Sequence, residues 1–474
     1  MTFVSLEFAI LLLFCLACFF WLPNRGRVML LLVASYVFYA YWKPWYAILI
    51  LFSTSVDYWA GRWMAVTENQ KQRRLALCLS LATNLGLLGY FKYANFGLHV
   101  LHGLFGTWAA PLPSAFEVIL PVGISFYTFQ GMSYAIDVYR RTIPAERSFT
   151  NFALYISFFA QLVAGPIERA GDLLPQLKQF RPFDRELFER GFCLLIWGFA
   201  KKLVVADRLL AVAQPIMQST TPHTAPDLLF ASLAMVAVFY YDFSAYTDMA
   251  RGTAAMFGVR LSENFHLPLA ATSIVEFWQS WHMTLSTWVR DYVFRPLGGM
   301  HPKNFTHQAL ALLTTMGLVG LWHGANWTYV IWGLHNGFMM MIYQIYFRTL
   351  RRKLRKQAWF NSRWYAFLGW AATMAIHAVG MIWFFSPSVS RAWELLCRFM
   401  TPDAWTSPQY LVTAPGASIL AGLWALQAIS RWWQPLDRIA GAKAPMRALA
   451  YAALIFGIIG LGVTEGSVFV YFQF

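Results

Sequence analysis

The sequence contains few charged residues: Asp, Glu, Lys and Arg together make up only 12% of its 474 positions. Soluble proteins carry about 25% charged residues, so this composition excludes an ordinary soluble enzyme. Cysteine is also scarce, with five in the chain. Cys15 and Cys18 form a C-x-x-C, but it lies inside an apolar run. That position indicates two packed thiols rather than a redox or metal site.

Several functional signatures are absent as well. No obvious internal repeat is present, whereas inverted repeats are typical of many transporters. No H-E-x-x-H motif or similar ligand spacing occurs, so no metal site is predicted. The net charge is +15, yet the basic residues stand at the ends of apolar runs and form no compact patch. Nucleic acid is therefore not an expected partner.

Long apolar runs dominate what is present. A hydrocarbon core about 30 Å thick needs about 20 apolar residues per helix. The sequence therefore predicts an all-α polytopic membrane protein, with a single membrane domain over residues 1–474 and about 11–13 transmembrane or re-entrant helices in contact with lipid. The predicted runs are 3–22, 28–41, 45–64, 75–91, 116–136, 191–210, 228–247, 309–321, 327–346, 365–385, 417–429 and 449–463.

Lysine and arginine are unevenly distributed between these runs. Clusters lie at 71–74, 139–147 and, most densely, 347–357. Under the positive-inside rule these segments face the cytoplasm. The segment 214–227 contains no Lys or Arg and is predicted to face outward. If the apolar runs cross the membrane between these cytoplasmic and external segments, both the N-terminus and the C-terminus lie outside, which in a bacterium is the periplasm.

The stretch TSIVEFWQSWHMTLSTWVRDYVFRPLGG, residues 272–299, is mixed rather than uniformly apolar. Ser273 and Glu276 have the spacing of a helix capping box, and Pro296 is predicted to help end the helix. Large side chains recur at three- and four-residue steps on one helix face: Trp278, Trp281, Leu285, Trp288 and Tyr292. His282 lies one residue off this stripe. The helix is predicted either to anchor at the membrane interface through its tryptophans or to dip into a cavity and contribute to a site.

Two histidines occur in GLVGLWHGANWTYVIWGLHNG, residues 317–337, which contains no Asp, Glu, Lys or Arg. The run 309–321 covers only about 20 Å, less than a full span. Since the run 327–346 follows at once, the two predict a hairpin whose bend holds His323 below the membrane surface. Three glycines in this hairpin have close helical spacing, which allows helices to approach closely or leaves room for a ligand: Gly317, Gly320 and Gly324.

An ionisable residue inside a membrane is a functional hypothesis by default. Burial favours the neutral imidazole, which is competent to take a proton from a hydroxyl. For His323, catalysis and packing stay equally open on the residues alone; in the packing interpretation the ring bonds a backbone carbonyl and holds the bend. For His335 the packing interpretation is favoured.

Five segments together resemble the membrane-bound O-acyltransferase family, in its branch of polysaccharide O-acetylation proteins of the alginate type. They occur in the family's order, cover most of the chain from about 30 to 390, and are densest at about 120–340. The segments are LPVGISFYTFQGMSYAIDVYR at 120–140, QLVAGPIERAGDLLPQL at 161–177, FYYDFSAYTDMARGTAAMFG at 239–258, FWQSWHMTLSTWVRDYVFRPLGG at 277–299 and GLWHGANWTYVIWG at 320–333.

The resemblance implies the family's fold, a ring of tilted helices around a central funnel or tunnel. It implies transfer of an acyl group, here acetyl, from acetyl-CoA or another thioester donor to a hydroxyl, without a permanently bound cofactor. His323 matches the histidine of the family's WHG motif, which is taken as catalytic, and His282 matches the second site histidine. The residues that bind the donor are not assigned.

For this branch the resemblance further implies a place in the bacterial inner membrane. Acetyl groups from the cytoplasm reach an exported polysaccharide, alginate or cellulose, through periplasmic acetyl-transfer proteins. Relatives often have a histidine just before the glycine that is Gly337 here, where this chain has Asn336, so no role is carried over to His335. Asp242 and Asp248 are candidates to shape the cavity or to hold a histidine tautomer, with helix-end hydrogen bonding as the alternative.

Three other functions remain as alternatives. Inside the family, the rival is an acyltransferase of the kind that D-alanylates teichoic acids, which shares both histidine motifs. Outside it, a transporter could move an acyl donor or a lipid without chemistry of its own, because broken helices and intramembrane histidines suit transporters too. A scaffold for a secretion complex is the third alternative, and it would not need His323.

Overall fold

The computed structural model describes residues 1–106, 113, 115–116, 118–219, 223–354, 356–406, 414–433, 438–439, 441–463 and 469–470. Within these residues every regular element is helical and no strand occurs, which confirms the predicted all-α class. The chain separates into two compact units, residues 1–199 with 246–262, and residues 200–245 with 263–474. The predicted single domain over 1–474 stays a prediction.

The first unit is built largely from helices in the N-terminal part of the chain. They are α1 (Leu6–Phe19), α2 (Asn24–Ala40), α3 (Pro44–Val66), α4 (Gln70–Leu88), α5 (Ala94–Phe105), α6 (Ile124–Tyr139), α7 (Phe149–Ser157), α8 (Ala170–Lys178) and α9 (Arg185–Ala200). A π-helical turn, Gly89–Tyr93, joins α4 to α5.

The second unit contains the segments with both motif histidines. Its helices are α10 (Asp207–Gln218), residues 225–245 of α11 (Ala225–Met256), α12 (Ile274–Ser280), α13 (Met283–Val289), α14 (Phe305–His323), α15 (Trp327–Tyr346), α16 (Arg352–Leu354), α17 (Arg363–Phe385), α18 (Val389–Arg398), α19 (Ala414–Trp433) and α20 (Ala444–Leu461). It also has π-helical turns at Lys201–Ala206, Arg290–Phe294 and Phe347–Arg351.

Each predicted apolar run overlaps helical structure, because long apolar runs are the strongest signal that a membrane sequence carries. The run 116–136 becomes helical only from Ile124. Four helical segments are long and apolar enough to cross a membrane: Gln70–Phe105, Ala225–Met256, Arg363–Phe385 and Ala444–Leu461. Others are shorter than the runs suggested. Helix α1, for example, has 14 residues, which at 1.5 Å per residue is about 21 Å. The predicted run 116–136 includes residue 117, which lies outside the described residues.

In the first unit, helices α3, α4 and α6 meet around a buried carboxylate. Asp57 of α3 is 1% exposed and accepts hydrogen bonds from Ser80 Oγ at 2.6 Å and Asn84 Nδ2 at 2.8 Å, both on α4. Gly131 of α6 lies against the same carboxylate, where a Cβ would collide with it. Polar bonds and small residues of this kind hold helices together in lipid, where apolar burial gives little driving force.

A second buried carboxylate ties two loops of the first unit together. Glu168 follows the GPI sequence of the 161–177 motif and accepts hydrogen bonds from Ser262 N–H at 2.5 Å and Ser262 Oγ at 3.0 Å. Burial raises the pKa of Glu168 to about 7, although both bonds from Ser262 act in the opposite direction. This motif thus has a structural task in fixing the loop that follows α11.

In the second unit, α14 and α15 form the predicted hairpin, and glycine lets their backbones touch. A Cβ at Gly320 would collide with the carbonyl oxygen of Tyr329, and a Cβ at Gly333 would collide with that of Met316. Helix α14 is longer than the predicted run of 13 residues, although it is not one of the four segments that are long and apolar enough to cross a membrane. Its 19 residues extend over about 28 Å, because the helix begins at Phe305, four residues before the apolar run. Asn304 caps it, with its Oδ1 accepting from His307 N–H at 2.8 Å.

The second unit also buries a charged cluster. Lys202, in the first of its π-helical turns, is fully buried. Its Nζ lies 2.7 Å from Asp242 Oδ1 and 2.8 Å from Asp207 Oδ1. The other carboxylate oxygen of Asp242 accepts from Val470 N–H at 2.8 Å, and the ring of Phe469 lies 4.3 Å from Lys202 Nζ. Two carboxylates and an aromatic face thus offset the cost of burying one ammonium group.

Candidate functional site

The predicted continuous helix through 272–292 is broken at His282. Helix α12 ends at Ser280 and α13 begins at Met283, and His282 between them has φ 40° and ψ 54°. This left-handed conformation is uncommon for a residue other than glycine and persists only where surrounding contacts hold it. The aromatic residues of the segment therefore do not share one helix face, and the expectation of a single stripe is wrong.

Backbone hydrogen bonds from a neighbouring extended segment explain the break. Met283 N–H donates to the carbonyl of Asn264 at 2.9 Å, and His266 N–H donates to the carbonyl of Ser280 at 2.9 Å. These bonds satisfy groups that a continuous helix would have paired internally. The predicted cap at the start of α12 is present, since Ser273 Oγ accepts from Glu276 N–H at 3.2 Å.

Asn264 sets the orientation and the tautomer of His282. Its Oδ1 lies 3.0 Å from His282 Nδ1 and also accepts from Thr284 N–H at 3.2 Å and Thr284 Oγ at 2.9 Å. Because the atom that accepts from a backbone N–H must be the amide oxygen, the proton is assigned to Nδ1 of the imidazole. Burial lowers the pKa of His282, so Nε2 carries a lone pair and is the basic nitrogen.

His323 is the last residue of α14 and lies inside an aromatic enclosure. It is 4% exposed. Its ring centroid is 4.9 Å from Trp322, 4.9 Å from Trp332 and 5.3 Å from Phe384. Gly324 allows this close bend, because a Cβ there would collide with the ring of Tyr329. These rings thus account for the burial of His323.

The structure brings the two motif histidines to the same neighbourhood. The Trp322 ring lies 4.9 Å from His323 and 6.0 Å from His282. On α11, Phe239 lies 6.3 Å from His323 and Phe243 lies 4.7 Å from His282. Residues four apart on a helix are neighbours about 6 Å apart, so α11 presents one phenylalanine to each imidazole.

The other histidines of this region differ from one another. His335 Nε2 bonds the carbonyl of Ile376 at 3.0 Å, which agrees with the packing interpretation and links α15 to α17. The sequence did not mark His377 as a site residue, because it is an isolated histidine in an apolar run. It is 2% exposed, and its ring centroid lies 3.6 Å from that of Phe277.

The suggestion that Asp242 holds a histidine tautomer is wrong, since its carboxylate binds Lys202 and the N–H of Val470. Asp242 does not lie at an end of its own helix, since it is well inside α11. Asp248 has an ion-pair partner in Arg251 at 3.9 Å. The tautomer of His282 depends instead on Asn264, eighteen positions before it. No periodicity or motif in the sequence marks Asn264 for this task.

The arrangement suits proton transfer at a hydroxyl. Two buried imidazoles lie among aromatic rings that exclude water, and a neutral imidazole in such a place is a competent general base. In the part of the chain that the structure describes, no three His, Cys, Asp or Glu side chains come together as metal ligands would.

Comparisons with known proteins point in one direction. The model of the membrane-bound O-acyltransferase family matches residues 139–386. The chain is 39% identical to the probable alginate O-acetylase AlgI of Azotobacter vinelandii over 387 residues, 81% of this chain and 74% of that protein. It is 31% identical to the peptidoglycan O-acetyltransferase of Helicobacter pylori over 395 residues, 77% and 72% of the two chains. Identity to the teichoic acid D-alanyltransferase of Bacillus subtilis is 26% over 268 residues, 54% and 66%.

The family model covers both histidine motifs and more than half of the chain, and the helical architecture and the apolar spans agree with it. The chain therefore belongs to the membrane-bound O-acyltransferase family, and it is a multi-pass membrane O-acyltransferase.

Proposed function

We propose that this protein moves acetyl groups from a cytoplasmic thioester, with acetyl-CoA as the donor, toward O-acetylation of an exported polysaccharide. The observation that carries the proposal is the buried imidazole of His323 beside His282, whose tautomer Asn264 fixes. The acceptor class is supported by the names of the relatives, which acetylate alginate and peptidoglycan. Alginate is the polymer that we favour. The match to the D-alanyltransferase covers only about half of this chain.

In the mechanism, the acceptor hydroxyl and the thioester carbonyl meet beside His323. The imidazole takes the hydroxyl proton as the oxygen attacks the carbonyl carbon, the general-base role. The tetrahedral intermediate then collapses, the carbon–sulfur bond breaks, and the imidazolium returns the proton to the leaving thiolate. His282, with its basic Nε2, orients the acyl group or the acceptor. Basic residues of the 347–357 cluster meet the phosphates of the donor.

The acetyl group leaves the enzyme on the periplasmic side of the inner membrane. There, periplasmic acetyl-transfer proteins pass it to the polymer. A central funnel lined by the aromatic enclosure is the route that the family fold provides for this relay.

Reconstituted protein tests the proposal. Proteoliposomes receive acetyl-labelled acetyl-CoA on the side of the 347–357 cluster, and polymannuronate with a candidate periplasmic acetyltransferase on the other side. We expect labelled acetyl esters on the polymer or the partner, together with free CoA on the donor side. Appearance of intact labelled acetyl-CoA across the membrane without free CoA would instead support a transporter. Consumption of a D-alanyl carrier thioester but not of acetyl-CoA would support the D-alanylation alternative.

Membrane orientation is a separate expectation. The segment 351–356 should be cytoplasmic and the segment 214–227 external, because basic residues stay inside. Residues 220–222 and 355 of these segments lie outside the described residues. Exposed positions near each segment are Gln218 and Lys353. A membrane-impermeant maleimide should label Gln218→Cys in intact spheroplasts and Lys353→Cys only after permeabilisation.

The labelling experiment needs a background without the exposed natural thiol Cys78, so both variants carry Cys78→Ser. Labelling of Lys353→Cys from outside would reverse the orientation and, with it, the proposed direction of acetyl flow.

A further inference from the structure

Three buried nitrogen atoms near His323 have no hydrogen-bond partner among the described residues. They are Trp332 Nε1, Trp278 Nε1 and His377 Nε2. These side chains are 3%, 9% and 2% exposed, respectively. Buried polar groups in proteins are nearly always paired, and each exception needs an explanation. An indole nitrogen can only donate, so two of the three are donors for which the fold supplies no acceptor.

The two tryptophans lie next to each other, and Trp332 contacts the proposed base. The ring of Trp332 lies edge-on to His323, with centroids 4.9 Å apart and an interplanar angle of 84°. It lies 6.0 Å from the ring of Trp278. The neighbour of Trp278 in sequence, Phe277, contacts His377. Trp332 is thus part of the enclosure around His323, and Trp278 lies behind it at ring-contact distance.

Gly380 of α17 lies next to Trp332 Nε1. A Cβ at Gly380 would lie 3.3 Å from this nitrogen and 3.8 Å from His335 Cδ2. Gly380 follows His377 by three residues on α17, so both lie on the same side of that helix. A side chain at Gly380 would therefore crowd the indole N–H.

We propose that the Trp332 indole N–H, assisted by that of Trp278, binds the carbonyl oxygen of the acyl thioester and stabilises the oxyanion formed on it. This inference rests on the proposed function and deepens it. When the hydroxyl oxygen bonds to the carbonyl carbon, the carbonyl electron pair moves onto this oxygen, and His323 takes the proton. Collapse restores the carbonyl and breaks the carbon–sulfur bond. Donors fixed in a water-poor site before the charge develops are effective because they need no reorganisation.

The first test is Trp332→Phe, which removes the N–H and keeps an aromatic ring. Loss of one oxyanion donor typically lowers kcat by about 10²–10³-fold. We therefore expect kcat for acetyl transfer from acetyl-CoA to fall by that order, with little change in KM or in the thermal unfolding temperature in detergent. Trp278→Phe should show a smaller loss of the same kind, and it keeps the idea testable if Trp332→Phe does not fold.

Trp424 offers a matched control. Its indole nitrogen is also buried without a partner, but the residue lines an apolar groove of about 780 Å³ together with Phe230 and Trp370. Trp424→Phe should leave kcat unchanged. If it lowers kcat as much as Trp332→Phe does, the loss reflects packing and not a contact with the acyl group.

In the dithioester analogue of acetyl-CoA, sulfur replaces the carbonyl oxygen. The ratio of the rates with the two donors reports on the hydrogen bond to this atom and does not depend on packing. Sulfur is a weak hydrogen-bond acceptor, so the wild type should prefer the oxygen donor, and Trp332→Phe should lose most of that preference. Full kcat in Trp332→Phe, or an unchanged preference, overturns the inference. If His323→Ala is inactive while Trp332→Phe is normal, only this inference fails. If the wild type does not use acetyl-CoA at all, the proposed function fails.

Discussion

Replacing His323 by alanine should abolish acetyl transfer while leaving the protein inserted and folded. The imidazole is buried among Trp322, Trp332 and Phe384, where it is proposed to take the proton of the acceptor hydroxyl. Loss of a general base typically costs about 100- to 10,000-fold in rate. Loss of a packing side chain would instead lower stability by at most a few kcal/mol. The catalytic interpretation therefore predicts a loss of rate, and the packing interpretation predicts a loss of stability.

Three quantities distinguish them: abundance in the membrane, thermal stability in detergent, and acetyl content of the polymer per molecule of protein. His335→Ala is the matched control, because this half-buried histidine bonds a backbone carbonyl and its loss should reduce yield but not activity per molecule. Normal acetylation by an abundant His323→Ala protein would defeat the catalytic interpretation. Low abundance with normal activity per molecule would show a packing role.

His282→Ala should also be severely impaired in the same measurements. On the surface of an interfacial anchor helix, His282 would tolerate replacement. In the structure it is fully buried and bonded to Asn264, so its loss should be costly.

Gly320→Asp should prevent accumulation of the folded protein, whereas Gly103→Asp should be tolerated. Any side chain at Gly320 meets the carbonyl oxygen of Tyr329, and backbone cannot move aside without separating α14 from α15. Overpacking alone costs typically about 1–3 kcal/mol, and an unpaired carboxylate in lipid adds further cost. Among the described residues, no atom lies within 4 Å of a Cβ at Gly103.

A closer control lies on the same helix. Gly317→Ala places its Cβ 3.4 Å from the flexible end of Leu334, which is ordinary van der Waals contact, so this variant should behave like the wild type. Gel filtration of detergent extracts reports the folded fraction, and acetylation is measured separately. A well-expressed and fully active Gly320→Asp protein would show that the hairpin is not packed as described.

The sequence predicted the helices well, because a chain in lipid must pair its backbone within helices and its apolar runs mark them. Bounds such as Trp327–Tyr346 were matched to the residue. The length of α14 was missed, because Asn304 starts the helix in polar residues before the apolar run. The four- and three-residue spacing of the tryptophans near His282 predicted a helix, but bonds from the distant Asn264 segment outweighed this local preference.

At the site, too, local sequence patterns were informative but contacts between distant residues were not predictable. A histidine without an ionic partner in an apolar stretch was enough to select His323. The partners of these groups were not predictable, because the pairing of His282 with Asn264, or of His323 with the rings of Trp332 and Phe384, depends on tertiary contacts. For the same reason, the sequence suggested a histidine partner for Asp242, whose real partner is Lys202.

The Lys202 cluster has a consequence for how the chain is made. Lys202 and Asp207 leave the ribosome almost together, but Asp242 emerges 40 residues after the lysine, and Val470 follows only when most of the chain has been synthesised. Until Asp242 is delivered, the ammonium group has only part of its compensation, and an ion of that kind is costly to place in lipid. A chain that ends between Asp207 and Asp242 is therefore expected to place this segment in the membrane less well than the full chain does. The order of the chain thus matters for the second unit, since the charge of an early segment is fully balanced only when residues of a later helix are present.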